Sequence, residues 1–186
     1  MITDVRDREL CIVVCGAGPA PDVGKLVSMA QDANWTVNII ATPAALSILN
    51  VAELEDLTGR PVRSKYRPVG EPRARSAATA SAVIVAPATY NTINKLAHGI
   101  SDNYALGVLA EAIGMRLPVV VLPFVNSALA ARTPFEHSVT ELRRDGVHVL
   151  LGPREWEPHA PGTGDERIPL FPWSAALEAI SAVSER

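Results

Sequence analysis

The sequence PATYNTINKLAHGISDN, residues 87–103, sets Thr89, Asn91, Thr92, Asp102 and Asn103 behind an apolar run, SAVIVAP, at 81–87. Hydroxyls and amides crowded behind a buried segment are suited to holding a polar ligand by many hydrogen bonds. Two other strand-like runs end in similar chemistry. After LCIVVCGAG at 10–18 comes a tight turn, Gly16-Ala17-Gly18-Pro19, and after WTVNIIATP at 35–43 comes Thr42 with Pro43 as a first helical residue. Helix N-termini carry unpaired N–H groups and favour anions. Either terminus alone reads as ordinary capping, whereas two at adjacent strand ends make a shared monophosphate site credible.

The glycine turn resembles a dinucleotide fingerprint, but proline stands where the third glycine belongs and Thr42 takes the place of an acidic residue after the second run. It is no phosphate-binding P-loop either, since Leu26 follows Lys25. NAD and ATP therefore lose ground, and a monophosphate gains.

These groups need a scaffold that brings strand ends together. Five short apolar runs, at 10–18, 35–43, 81–87, 117–123 and 146–152, are β-branched and bounded by Gly or Pro, as strands buried on both faces of a parallel sheet are. Helix-period segments lie between and after them, at 22–32, 44–57, 92–100, 103–115, 134–145 and 174–184. That alternation predicts an α/β fold, a doubly wound parallel sheet of flavodoxin-like or Rossmann-like kind in three αβα layers. Ligands then bind at the carboxyl ends of the strands. The chain is expected to form a single domain over 1–186, with the Pro-, Gly- and charge-rich stretch 152–172 as a mobile flap.

Composition narrows the function. The 186 residues are 48% hydrophobic but only 5% aromatic, which suits a sheet packed by helices better than an aromatic-rich sandwich. A net charge of −3 without clustered Lys and Arg argues against nucleic acid as principal partner. Cys11 and Cys15, on one face of a strand roughly 13 Å apart, are too distant for a disulfide and read as reduced core residues of a cytoplasmic protein. No metal-ligand spacing is found. The charged N-terminus carries no apolar signal segment, and no run approaches the ~18 apolar residues of a membrane span.

Pro87, Ala88, Thr89, Asn91, Thr92, Ile93, Lys95, Gly99, Ile100, Asp102 and Asn103 fit a signature of the homo-oligomeric flavin-containing cysteine decarboxylases, with Tyr90 replacing a small residue. The chain resembles that family over residues 8–151, including TPAALSIL at 42–49 and PFVNSALA at 123–130. The resemblance implies FMN as cofactor and trimer-based homo-oligomers with the flavin at a subunit contact. It also implies oxidation of a cysteine side chain to a thioaldehyde that readily loses carbon dioxide. Carried over, Gly16, Ala17, Gly18, Pro19 and Thr42 would cradle the FMN phosphate. Pro87, Ala88, Thr89, Asn91 and Thr92 would follow with further contacts. Asp102 and Asn103 would approach the flavin from a subunit edge, and Asn126 would contact the substrate carboxylate.

The expected substrate is a small thiol of the phosphopantothenoylcysteine type or a cysteine-terminated peptide. Read as a stand-alone chain without a synthetase domain, the sequence tilts towards the peptide. One departure bears on catalysis: Arg73 stands where these decarboxylases carry a histidine. Arginine stays protonated and cannot act as a base, but its fork suits a carboxylate clamp. Val125, Leu129 and Ala130 replace two methionines and a tryptophan, which leaves a differently shaped pocket. His98 reads as a packing or flavin-adjacent residue, His137 and His148 as structural, and His159 lies in the flap, from which it could reach a neighbour's site. A flavin-binding homologue without decarboxylase activity stays open as an alternative. Flavin prenyltransferase, which shares the fold, fits less well.

Overall fold

Strict alternation of apolar side chains divides the strands between two cores. Leu10, Ile12, Ile84 and Leu122 face one layer of helices, and Cys11, Val13, Val85 and Val121 face the other. Every residue of the central strands is buried, as a parallel sheet covered on both faces requires. A computed structural model describes residues 8–66 and 80–184. Its strands are β1 (Glu9–Val14), β2 (Thr36–Ala41), β3 (Ala82–Ala88), β4 (Val119–Pro123) and β5 (His148–Val149). They form one parallel sheet in the order β2-β1-β3-β4-β5.

The helices are α1 (Gly24–Asp32), α2 (Pro43–Leu46), α3 (Val51–Thr58), α4 (Tyr90–Ala97), α5 (Tyr104–Gly114), α6 (Ser127–Ala130), α7 (Thr133–Arg144), α8 (Gly164–Arg167) and α9 (Trp173–Ser184). Buried residues of α1, α3 and α9 join the first core, and those of α4, α5 and α7 join the second. The doubly wound α/β fold expected from the sequence is the fold observed. The helix predicted over 44–57 is instead two, α2 and α3. Asn50 separates them by capping α3: its Oδ1 accepts from the Glu53 amide at 3.3 Å, and its own amide donates to Glu53 Oε2 at 3.0 Å.

Cys11 and Cys15 are buried and unbridged on the face carrying Val13. Burial pushes the Cys11 thiol up to about 12. It also raises the Cys15 thiol, although hydrogen bonds to Thr92 and Thr89 pull the other way. Among the described residues no helix is long and apolar enough to cross a membrane, and no group of His, Cys, Asp and Glu could hold a metal ion.

The 152–172 segment packs onto the sheet's carboxyl edge. Trp156 and Phe171 are buried in the first core, and Phe171 makes edge contacts with Phe124, Trp156 and Trp173 at centroid distances of 5.7, 5.6 and 4.7 Å. The segment holds α8 and a 3-10 turn, Ile168–Leu170. A parallel bridge joins it to the loop after β4: the Ser127 amide donates to His159 O at 2.7 Å, and the His159 amide donates to Val125 O at 3.4 Å.

Candidate functional site

In this strand order the chain starts at β1, runs to one side, then crosses to the other, so a crevice opens at the carboxyl ends of β1 and β3. A cleft of about 370 Å³ lies there. Its walls are Gly16–Gly18 after β1, Thr89–Asn91 after β3, Phe124–Asn126 and Leu129 after β4, and His159 from the C-terminal segment. That volume is within the range of small-molecule sites, ~300–1,000 Å³.

Much of the polar cluster is spent on the fold. Thr42 Oγ1 accepts from the Ala45 amide at 3.3 Å, Thr89 Oγ1 from Thr92 at 3.2 Å, Asn103 Oδ1 from Leu106 at 3.1 Å, and Asn126 Oδ1 from Leu129 at 2.9 Å. Each is the N-cap of the helix that follows its strand or turn, which supplies one of the acceptors that a helix start lacks. Capping leaves donors over. The amides of Tyr90 and Asn91, the first residues of α4, and those of Gly16 and Gly18 have no acceptor among the described residues. Neither has the side-chain amide of Asn126.

The structure brings Gly16, Ala17, Gly18, Thr89, Asn91 and Asn126 to one cleft. Thr42 is buried behind it, next to Gly16: a Cβ built on Gly16 would lie 2.8 Å from Ala44 Cβ. Pro19, Pro87, Ala88 and Thr92 are buried beside it without lining it. The Ala86–Pro87 peptide is cis. Asp102 and Asn103 lie off the cleft, with Asp102 paired to Lys95 and accepting from Asn103 at 3.2 Å. Arg73 lies outside the described residues.

The glycine turn serves packing as well as ligand access. A Cβ on Gly18 would meet Ile168 Cδ1 at 2.9 Å, so the C-terminal segment presses on the turn, just as α2 presses on Gly16. Gly16 therefore lets α2 approach. The two predicted helix starts share a packing contact there, and α2 is a single turn.

Sequence reasoning missed several cleft residues. Tyr90, the departure from the motif, stacks on Phe135 at 5.3 Å and accepts a hydrogen bond from Arg132 at 3.3 Å, so its ring is a wall between α4 and α7. Phe124 supplies an apolar side together with Val125 and Leu129, which the family resemblance had already set in the pocket; for Phe124 the available signal was its position just after β4. His159 reaches the cleft of its own chain, its ring 4.7 Å from Phe124 with an interplanar angle of 33°. Its Nδ1 is buried without a partner. Burial first, and then the Arg167 guanidinium, hold the imidazole below its ordinary pKa, so it favours the neutral form. The signal for His159 was Trp156 and Phe171 flanking it: large aromatics in a Pro- and Gly-rich stretch mark a docked segment.

Known proteins share this fold. SpaF, an FMN-dependent cysteine decarboxylase of known crystal structure, superposes with a TM-score of 0.70 at 23% identity, over 92% of this chain and 96% of that one. A mutant phosphopantothenoylcysteine (PPC) decarboxylase complexed with pantothenoylaminoethenethiol gives a TM-score of 0.66 at 19% identity, over 77% and 81% of the two chains. The probable phosphopantothenoylcysteine decarboxylase of Streptococcus mutans is 25% identical over 147 residues, 77% of this chain and 82% of that protein. The coenzyme A biosynthesis bifunctional protein CoaBC of Mycolicibacterium smegmatis is 26% identical over 164 residues, 87% of this chain but 39% of that protein, so the chain spans about two-fifths of the bifunctional relatives. Residues 3–169 match the flavoprotein family, and the chain belongs to it.

Proposed function

We propose that this chain binds FMN in the carboxyl-edge cleft and decarboxylates a thiol substrate of the cysteine type. The observation that carries the reading is the meeting, in one crevice, of unpaired amides at Gly16, Gly18, Tyr90 and Asn91 with an apolar aromatic wall and the spare amide of Asn126. That donor set fits the group. A phosphate and the polar edge of a flavin need N–H and O–H partners, and the flavin's rings need apolar walls. Gly16–Gly18, Thr89 and Asn91 would hold FMN. When bound, FMN supplies the two-electron oxidation of the cysteine side chain that makes carbon dioxide loss easy.

The chain's own residues bind and orient. The Asn126 cap fixes the side chain through Oδ1 and leaves Nδ2 to donate to the substrate carboxylate. Phe124, Val125 and Leu129 exclude water around the side chain to be oxidised. Asp102 and Asn103 belong to the matched motif yet sit off the cleft. In this reading they face the flavin of a second copy in a trimer-based homo-oligomer. Buried, unbridged Cys11 and Cys15 suit a reducing, cytoplasmic compartment.

The test is the visible absorption spectrum of the purified protein, before and after anaerobic addition of a cysteine-terminated peptide or phosphopantothenoylcysteine. Bound flavin that bleaches with release of carbon dioxide is the expected result. Flavin that stays oxidised with both substrates overturns the decarboxylase reading, and a protein that neither carries nor takes up FMN overturns the cofactor.

A further inference from the structure

His159 is the one side chain lining the cleft, among the described residues, whose unperturbed chemistry exchanges a proton near neutral pH. Tyr90 also lines the cleft, but its hydroxyl is engaged by Arg132 and its ring by Phe135. The backbone fixes where the imidazole stands. Asn126 and His159 are partners in a parallel bridge, so their Cα atoms lie about 4.8 Å apart. In the proposed function, on which this inference rests, Asn126 holds the substrate carboxylate. A cysteine carries its thiol two carbons from its carboxyl carbon. The group that meets the thiol must therefore stand beside the group that meets the carboxylate, and His159 stands there.

The ring is also held for this use. Phe124 stacks against one face, and Gly164 of α8 comes close to Nε2, where a Cβ would lie 3.3 Å away. Nδ1 is left buried with no partner.

We propose that His159 is the proton acceptor of this cleft: its neutral imidazole takes the proton of the bound substrate's thiol through its ring nitrogen that is not buried. The S–H bond breaks with its electron pair staying on sulfur, an N–H bond forms, and the cleft then holds a thiolate beside an imidazolium.

The charges around the ring keep it at rest in the neutral form, the one that can accept a proton. The chain from Val119 to Ala131, which packs against the ring through Phe124 and Asn126, carries no charged residue. On α8, Asp165, Glu166 and Arg167 are charged, and Arg167 acts on the imidazole to disfavour its protonated form. Glu157, two residues before His159, accepts a hydrogen bond from Arg167 through its backbone oxygen at 3.4 Å. The imidazole therefore waits neutral, ready to accept. Arg167 itself lies over the Trp156 ring at 4.3 Å.

Two measurements test the assignment, the first independent of flavin chemistry. With histidine-labelled protein and His159→Gln to identify the signal, NMR follows the imidazole while a cysteine-terminated peptide, or its serine counterpart, is added at pH 7.5. The cysteine peptide should move the His159 signal to the imidazolium position and the serine peptide should not. The second measurement is the anaerobic rate of flavin bleaching by the cysteine peptide between pH 6 and 10. His159→Gln should lower it by roughly 100-fold or more at neutral pH. The gap should close above about pH 8.5, where the thiol ionises unaided.

An unmoved imidazole overturns the inference whether or not the flavin bleaches. So does a His159→Gln protein that bleaches with the wild-type pH profile, and in that case the decarboxylase reading stands. A shifted imidazole in a protein whose flavin never bleaches supports the inference and removes the redox half of the proposed function.

Discussion

The segment after β3 and the segment after β5 both reach the same cleft, but they treat their polar atoms in opposite ways. Thr89, Thr92 and Asn103, in the first, have their side-chain oxygens engaged in caps and in each other; Thr89 Oγ1 lies 3.0 Å from Thr92 Oγ1. In the second, His159 Nδ1, Arg167 Nε and Trp156 Nε1 are buried without partners. The first segment is a finished scaffold whose side chains build the helix starts and whose leftover amides, at Tyr90 and Asn91, belong to residues lining the cleft. The second is held by aromatic packing and brings unsatisfied polar groups with it. A satisfied group steadies the site, whereas an unsatisfied buried one carries a cost that the packing around it must offset.

If packing holds the C-terminal segment, removing its hub should have the largest effect. Phe171, 4% exposed, touches three aromatic rings. Phe171→Ala is expected to cost about 3–5 kcal/mol in urea denaturation and to detach His159 from Phe124. A loss below about 1 kcal/mol would break the comparison, because the segment would then be held by something other than its aromatics.

The glycine turn comes next. Gly16→Ala places a methyl 2.8 Å from Ala44 Cβ and 2.9 Å from its carbonyl carbon. Backbone must shift, at about 1–3 kcal/mol, seen as a Tm lowered by roughly 2–4 °C for each kcal/mol. An unchanged Tm would mean that α2 yields freely and that the glycine is there for the ligand alone.

On the finished side, Thr89→Ala should cost about 1 kcal/mol by removing a cap, while Thr89→Ser keeps the oxygen and most of the stability. Thermal melts of both variants separate capping from packing. Equal losses would show that the Thr89 methyl, and not its hydroxyl, does the stabilising.

The unfinished side should show itself in acid. The His159 imidazole has a lowered pKa in the folded protein, so the unfolded chain takes up a proton first as pH falls. Folding stability is therefore lost from the ordinary histidine value near 6.5 downwards, until the folded ring protonates too. His159→Gln should remove that part of the slope between pH 7 and 5. A slope unaltered by the substitution would show that the imidazole is as well solvated folded as unfolded.

Strand–helix alternation made the sheet legible in the chain itself: all five apolar runs became strands, because burial on both faces leaves little choice of residue type. Strand ends pointed to Gly16–Gly18, Thr89 and Asn91, and the family resemblance pointed to Asn126; all of them line the cleft. Sequence reasoning did not see that Thr89 and Asn126 would spend their oxygens on capping, because one residue type serves both purposes and only geometry separates them. Nor did it place His159. A two-residue bridge between chain segments more than thirty residues apart has no periodicity to read.

The smallest stability effect carries the sharpest consequence for the assembly. Asp102 belongs to the polar motif but caps no helix, and its pair with Lys95 leaves the two side chains 49% and 28% exposed. Such pairs contribute about 0–1 kcal/mol, so Asp102→Asn should leave the melting temperature within about 4 °C of wild type. A residue with so little to do in its own subunit is free to serve another. In the proposed homo-oligomer, Asp102→Asn should therefore lower the fraction of FMN retained through gel filtration while folding stays intact, and dilution that separates the subunits should release FMN from the wild-type protein. Full flavin retention by the variant, with FMN still bound by dissociated subunits, would assign the whole cofactor site to one chain and return Asp102 to the surface.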